Sequence, residues 1–327
     1  MVNGQRPVSP GSLSAYARPS VRRSFGQMVS SFGPFLLLWA LAYWLLSVHW
    51  LASLPVSMGA GLFLVRIFII QHDCGHGSFF RSKVACRWVG RLCSVLTATP
   101  YERWRAAHSQ HHAQVGKLEG RGVGDIDTMT LREYRDASRW QRLRYRLYRH
   151  PLVLFGLGPL SLFLIGNRLS SRSFSRDQQA SIHTTNVVLA LTIGLACWLL
   201  GWREFILVQL PATLVGSGIG VWLFFVQHQF EDTYWAHAED WDHTTAALRG
   251  SSHYQLPGLL RWLTGNIGLH HVHHLNSRIP NYNLQRCHND LPALHEAPVL
   301  TLASSLRCVR LALWDEDAGR LVTFGAV

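Results

Sequence analysis

Charge is scarce in this chain. Asp, Glu, Lys and Arg supply only 15% of its 327 residues, while 48% are hydrophobic. Ordinary soluble domains are roughly one quarter charged. So apolar a composition excludes a disordered protein, which lacks the surface to bury against the entropy of ordering. Cysteine is scarce too. Six Cys without paired spacing, behind an N-terminus that does not read as a secretory signal, exclude a small disulfide scaffold. Lysine is nearly absent: Lys83 and Lys117 are the only two, so the basic charge is almost entirely arginine. No internal repeat or low-complexity run occurs. What the chain does have is a net charge of +12 and 18 His.

The apolar residues are concentrated. From Phe32 to Ile70 the only charged residue is Arg66, with Pro55 near the middle. A bilayer core needs about 20 apolar residues of helix, so this run accommodates two helices, 32–53 and 55–76, joined by a tight turn. A second pair is expected over 184–200 and 205–226, separated by Gly201, Trp202, Arg203 and Glu204. Two such uncharged runs are rare outside membranes. The stretch 151–166 is short and broken by Pro and Gly, and reads as interfacial or re-entrant. Of the 31 Lys and Arg, 29 lie in residues 1–31, 71–182 and 227–327. The positive-inside rule puts those segments, with both termini, on the cytoplasmic side. That distribution, with no single basic domain carrying stacking aromatics, excludes nucleic-acid binding as the source of the charge. Residues 1–31 read as a flexible lead-in, 32–290 as the membrane domain, and 291–327 as a cytoplasmic tail with short helices.

Half of the histidines fall into three groups: His72 and His76; His108, His111 and His112; and His270, His271, His273 and His274. Positions i, i+3 and i+4 share a helical face, so within each group the imidazoles converge, except that His271 points away. Imidazole suits iron, zinc, copper and nickel. Two HxxHH patterns in one chain are expected by chance only about 0.001 times. Eight same-face histidines exceed what one metal takes and suit two, although spacing alone does not identify the metal. All three groups meet on one side only if 151–166 does not span, which gives four membrane helices.

These boxes, HxxxH at 72–76 and HxxHH at 108–112 and 270–274, resemble those of the membrane-bound fatty acid desaturase family. So do the segments 69–80 (IIQHDCGHGSFF), 121–127 (RGVGDID), 227–231 (QHQFE) and 278–282 (RIPNY), which are closest to the bacterial acyl-lipid omega-6 or Δ12 subgroup. The resemblance implies an all-α integral membrane protein of two transmembrane hairpins, with a helical cytoplasmic cap carrying the boxes, in a bacterial inner membrane. It implies two non-haem iron ions held by His72, His76, His108, His111, His112, His270, His273 and His274, with His228 as the further ligand near the end of the fourth helix. Asn266, four residues before His270, is expected on its helical face and able to hold a water. Asp73, Asp125, Asp127 and Glu231 are candidates to accept the second N–H of a ligating imidazole. Arg66, inside a span, is expected to anchor, since an intramembrane arginine pairs or snorkels.

The implied reaction is O2-dependent insertion of a cis double bond into a fatty acyl chain. The His-Pro-Gly-Gly signature of a fused haem donor is absent, as is any Cys cluster for an iron–sulfur centre. Electrons are therefore expected from an external carrier such as ferredoxin with its reductase. The basic face, 18 Lys and Arg against eight acids over 71–182, suits an acidic donor. Two other readings stay open: a lipid or carotenoid hydroxylase or ketolase on the same fold, and a His-rich membrane metallohydrolase.

Overall fold

A computed structural model describes residues 10–122 and 124–327. The start of the lead-in, with Arg6, and Val123 of the 121–127 motif lie outside the described residues. The chain forms two compact units: one of Pro19–Ala106 and Leu154–Val221, the other of Met1–Arg18, Ala107–Val153 and Trp222–Val327. We call them the span unit and the histidine unit.

The span unit holds α2 (Val21–Leu45), α3 (Trp50–His76), α4 (Lys83–Leu96), α8 (Gly158–Leu164), α9 (Arg176–Leu200), the first turns of α5 (Tyr101–Gln114) and most of α10 (Trp202–His228). Among the described residues, α2, α3, α9 and α10 are the four single helices long and apolar enough to cross a membrane. Their bounds differ from the expected ones because a helix does not stop where its apolar run stops. Ser20 caps α2 by accepting from the Arg23 N–H, so the helix starts eleven residues earlier than the uncharged run and takes in part of the lead-in. The turn between the first two spans is Leu46–His49, where the His49 ring accepts from the Leu51 N–H. Pro55 is not in that turn; it lies in the second turn of α3, as membrane helices tolerate. A Ser175–Gln178 capping box likewise starts α9 before Thr184.

The polarity of this unit is inverted. Leu37, Trp44, Leu191, Leu195, Trp198 and Leu199 point outward, while Ser53 and Ser57 are buried. The interior polar groups join helices: Ser57 donates to the Val208 carbonyl, Trp39 Nε1 to Gln209 Oε1 at 3.0 Å, and Tyr43 to the Leu200 carbonyl at 3.0 Å. This is the arrangement expected in lipid, where small residues and hydrogen bonds replace the hydrophobic effect as glue. Arg66 is buried rather than reaching outward as an anchor would. The stretch after Pro151 breaks into a π turn (Val153–Leu157) and the seven-residue α8, about 10 Å long, too short alone to span.

The histidine unit contains α1 (Pro10–Ser14), the rest of α5, α6 (Leu131–Asp136), α7 (Arg139–Arg149), the last turns of α10, α11 (His243–Arg249), α12 (Gly258–Leu263), α13 (His270–Leu275), α14 (Asn281–Asp290) and α15 (Leu302–Cys308). Small sheets tie it together. β1 (Met129–Thr130) pairs in parallel with β4 (Leu311–Asp315), which pairs antiparallel with β5 (Arg320–Thr323). β2 (His253–Tyr254) pairs in parallel with β3 (Val299–Leu300). Residues 291–327 hold the expected short helices, at Pro292–Glu296 and α15, and add strands that were not expected, β3, β4 and β5. The alternation is weak, but Leu313, Trp314 and Leu321 are buried and close the core of this unit with Tyr134, Tyr145 and Leu118.

Close helix approach in the span unit depends on Gly61. A Cβ there would lie 2.6 Å from the Ala212 carbonyl oxygen and 2.9 Å from Val215 Cβ. Gly61→Leu is expected to destabilise the protein by about 1–3 kcal/mol, the usual range for overpacking. Thermal unfolding of the detergent-solubilised protein should show the lower midpoint.

Candidate metal centre

Three stretches of the histidine unit converge. α5 carries His108, His111 and His112; the end of α10 carries His228; and α13 carries His270, His273 and His274. The convergence is stitched by backbone bonds around His228. Gln227 Nε2 donates to the Ile267 carbonyl at 3.0 Å, Ser252 donates to the Val226 carbonyl through its hydroxyl, and the Ser252 N–H donates to the Gln227 carbonyl. The end of α10 is thus fixed to the segment leading into α13.

His111, His228, His270 and His274 form one buried group whose ligand atoms all lie within 4.8 Å of one another. The Nε2 atoms of His228 and His270 are 3.0 Å apart, as are those of His270 and His274. Metal–imidazole bonds of about 2.0–2.1 Å place neighbouring nitrogens about 2.9–3.4 Å apart around one ion. Beside this group, the Nε2 atoms of His108 and His112 are 3.2 Å apart, and those of His112 and His273 are 3.0 Å apart. In the span unit, His72 and His76 lie side by side on α3, ring centroids 4.7 Å apart, with the Trp104 indole 5.8 Å from His72.

The tautomers are set from outside the group. His228 Nδ1 donates to the Gly250 carbonyl at 2.8 Å, and His111 Nδ1 donates to the Asp125 carboxylate. A carbonyl or carboxylate can only accept, so the proton is on Nδ1 and the Nε2 lone pair faces inward. His111 Nε2 is buried without a hydrogen-bond partner. Two lone pairs held inward among four buried imidazoles fit a cation, so the residues match the metal that the boxes imply. In the span unit His72 Nδ1 faces the Asp73 carboxylate at 3.1 Å and has the same polarity. Gly124, at φ +72°, brings Asp125 to His111; a Cβ there would be 3.0 Å from the Ala107 carbonyl oxygen. Phe224 packs on His111 and His228 at 5.1 and 5.6 Å, walling the group.

Other expectations fail. Asn266 does not share a helix with His270. Gly265 and Asn266 both take positive φ, which breaks the chain before α13, and Asn266 Nδ2 donates to the Asn281 carbonyl. Glu231 is exposed and pairs with Arg320 at 3.0 Å. Asp127 is exposed, and its carbonyl accepts from Arg149. His271 is off the ligand group, as expected. It reaches His288 instead, at 3.3 Å, beside His253 and His295. Sequence reasoning did not find that second histidine neighbourhood, whose members are far apart in the chain. The extra His in the third box was its only signal.

A helical membrane protein with a buried histidine cluster able to hold a metal ion is the class these observations define. Comparison with known proteins then specifies it. The fatty acid desaturase family model matches residues 47–302. A fatty acid desaturase of Bacillus subtilis (strain 168) is 45% identical over 315 residues, covering 96% of this chain and 90% of that protein. Two Synechocystis proteins are more distant. An sn-1 acyl-lipid omega-3 desaturase (ferredoxin) is 29% identical over 82% of this chain and 74% of its own length. An sn-1 oleoyl-lipid 12-desaturase is 25% identical over 88% and 84%. The chain belongs to the fatty acid desaturase family, whose members are oxidoreductases.

Two outcomes follow from the site. Removing an outer acceptor of a metal-bound histidine typically weakens metal binding 10–100-fold. Asp125→Ala should do so here, measured as metal retained per protein against a competing chelator. The second concerns acid. Burial, reinforced by neighbouring imidazoles, holds the His271 and His274 pKa values well below normal and lowers that of His288 to about 4. The unfolded chain therefore binds more protons than the folded one between pH 6.5 and 4, and stability falls with pH in that window. The melting temperature of metal-free protein should be level from pH 8 to 7 and drop from pH 6.5 to 5.

Proposed function

We propose that this protein inserts a cis double bond into the acyl chain of a membrane lipid, using O2 and two iron ions. The ligand set proposed is His72, His76, His108, His111, His112, His228, His270, His273 and His274, with Asp73 and Asp125 orienting His72 and His111. The observation that carries the reading is the buried group of His111, His228, His270 and His274 with two Nε2 lone pairs locked inward. Bound there, a reduced iron pair supplies O2 activation and the power to remove hydrogen from an unactivated methylene. The chain's own residues hold the imidazoles in one tautomer and keep water from the site. Asp125 and the Gly250 carbonyl do the first, and Phe224 contributes to the second.

The lipid-acting names of the Synechocystis relatives support an acyl-lipid substrate, and one of them names ferredoxin. We assign the electron supply to ferredoxin or a similar acidic carrier with its reductase, docking on the basic segment of residues 71–182. The arginine distribution supports a bacterial inner-membrane location with both termini and the metal centre on the cytoplasmic side.

The test is fatty-acid profiling of a bacterial host expressing the chain. Mass spectrometry should show a new acyl species two hydrogens lighter than its precursor. A species that has gained oxygen instead would establish hydroxylation. His111→Ala and His273→Ala should abolish the product while the protein still reaches the membrane fraction.

A further inference from the structure

Between the segment running from β2 through α12 to Leu269 and the end of α14, the histidine unit contains a cavity of about 290 Å³. Ligand sites start at roughly 300 Å³, so the space is near that of a small-molecule pocket. Its polar lining includes Arg261, His253, His288, His295, Gln285 and Asn289, and no carboxylate lines it among the described residues. Arg261 forms no ion pair among those residues. Its guanidinium donates to Gln285 Oε1 at 3.0 Å, and Gln285 Nε2 donates to Asn289 Oδ1 at 2.8 Å. This relay points both amide oxygens at donors and leaves the Asn289 NH2 group at its end. A cation without a counter-ion, among amide and imidazole N–H groups, is the chemistry that recognises an oxyanion, and a guanidinium fork suits phosphate in particular.

The surroundings specify what carries the anion. α12, which bears Arg261, exposes Leu259, Leu260 and Trp262. The parallel pairing of β2 and β3 sends the chain out of the same end of the two strands into α12 and α15, and α15 exposes Leu302 and Leu306. Apolar side chains and a tryptophan next to an arginine are what an interfacial lipid meets, with the headgroup against the cation and the tails against leucine. A free phosphate would have no use for that ledge.

We propose that this cavity binds the phosphate diester of a membrane phospholipid, with Arg261 as the principal anchor and the α12 and α15 leucines against its acyl region. The site goes beyond the desaturation reading and needs neither iron nor turnover.

Isothermal titration of the purified full-length protein in a non-ionic detergent tests it, with three probes: dihexanoylphosphatidylglycerol, dihexanoylglycerol and inorganic phosphate. The phosphatidylglycerol should bind saturably, and the phosphate-free diacylglycerol and free phosphate should bind at least about 10-fold more weakly. Arg261→Gln should weaken phosphatidylglycerol binding about 10-fold or more, the loss of one charge-assisted contact. Arg261→Lys should retain part of it. Asn289→Asp, on the exposed end of α14, should also weaken binding by placing a carboxylate in the cavity, and gives a second reading should Arg261→Gln disturb folding. Equal binding of the diacylglycerol would overturn the role of the phosphate. Equal binding of free phosphate would overturn the lipid assignment. No binding, or unchanged binding in both Arg261→Gln and Asn289→Asp, would overturn the site itself.

Discussion

The histidine unit is organised around the electrostatic demand of imidazoles buried with their lone pairs facing one another. Uncompensated, that arrangement is costly, because burial removes the water that would otherwise satisfy each nitrogen. The protein does not relieve the cost by turning the rings. It fixes them, through Asp125 behind His111 and the Gly250 carbonyl behind His228. A structure that spends outer hydrogen bonds to hold inner lone pairs in place is preorganised for a cation. The surrounding fold reads as support for that geometry. Gln227 and Ser252 pin the end of α10, Gly124 allows the loop bearing Asp125 to approach, and the buried Arg149 braces Gln229 and the Leu311 carbonyl.

The span unit answers a different demand. In lipid, apolar side chains gain nothing by facing one another, so the helices meet through small residues and polar groups instead. Gly61 against Ala212, Ser57 against Val208 and Trp39 against Gln209 are contacts of this kind. The helices therefore keep leucine and tryptophan outward without loss. α5 and α10 each run from this unit into the other. α10, apolar enough to cross a membrane, delivers His228 at its end, and the shorter, polar α5 delivers His108, His111 and His112.

What the sequence made legible follows from the range of each physical signal. Helical spacing acts over four residues, so the same-face convergence within each box could be read directly, as could the divergence of His271. Apolar runs identified four spans but misplaced their ends. Caps such as Ser20 and Ser175 decide where a helix starts, and a proline such as Pro55 can sit inside a membrane helix as easily as in a turn. Asn266 was misplaced by the assumption that helical geometry continues upstream of His270, which two successive positive-φ residues prevent. Glu231 failed for a nonlocal reason: its partner, Arg320, is 89 residues away. The strands near the C-terminus were missed because two of their partners, β1 and β2, are two-residue segments with no periodicity to read.

The short third-box helix explains why one motif faces two environments. α13 has only six residues, and all five from His270 to His274 are buried. A surface helix would have exposed one side. Here His270, His273 and His274 turn to His228, His112 and His111, while His271, one residue on from His270 and about 100° around the axis, must find a partner elsewhere. It finds His288, which lines the polar cavity with His253 and His295. Buried on both faces, α13 has the other clustered histidines on one side and His288, a lining residue of that cavity, on the other. Its position is held from both sides, by Gln227 at the Ile267 carbonyl and by the Gly268 carbonyl accepting from the Tyr254 N–H. The backbone entering α13 thus serves both neighbourhoods: Gly268 and Leu269 line the cavity, and the next residue is His270.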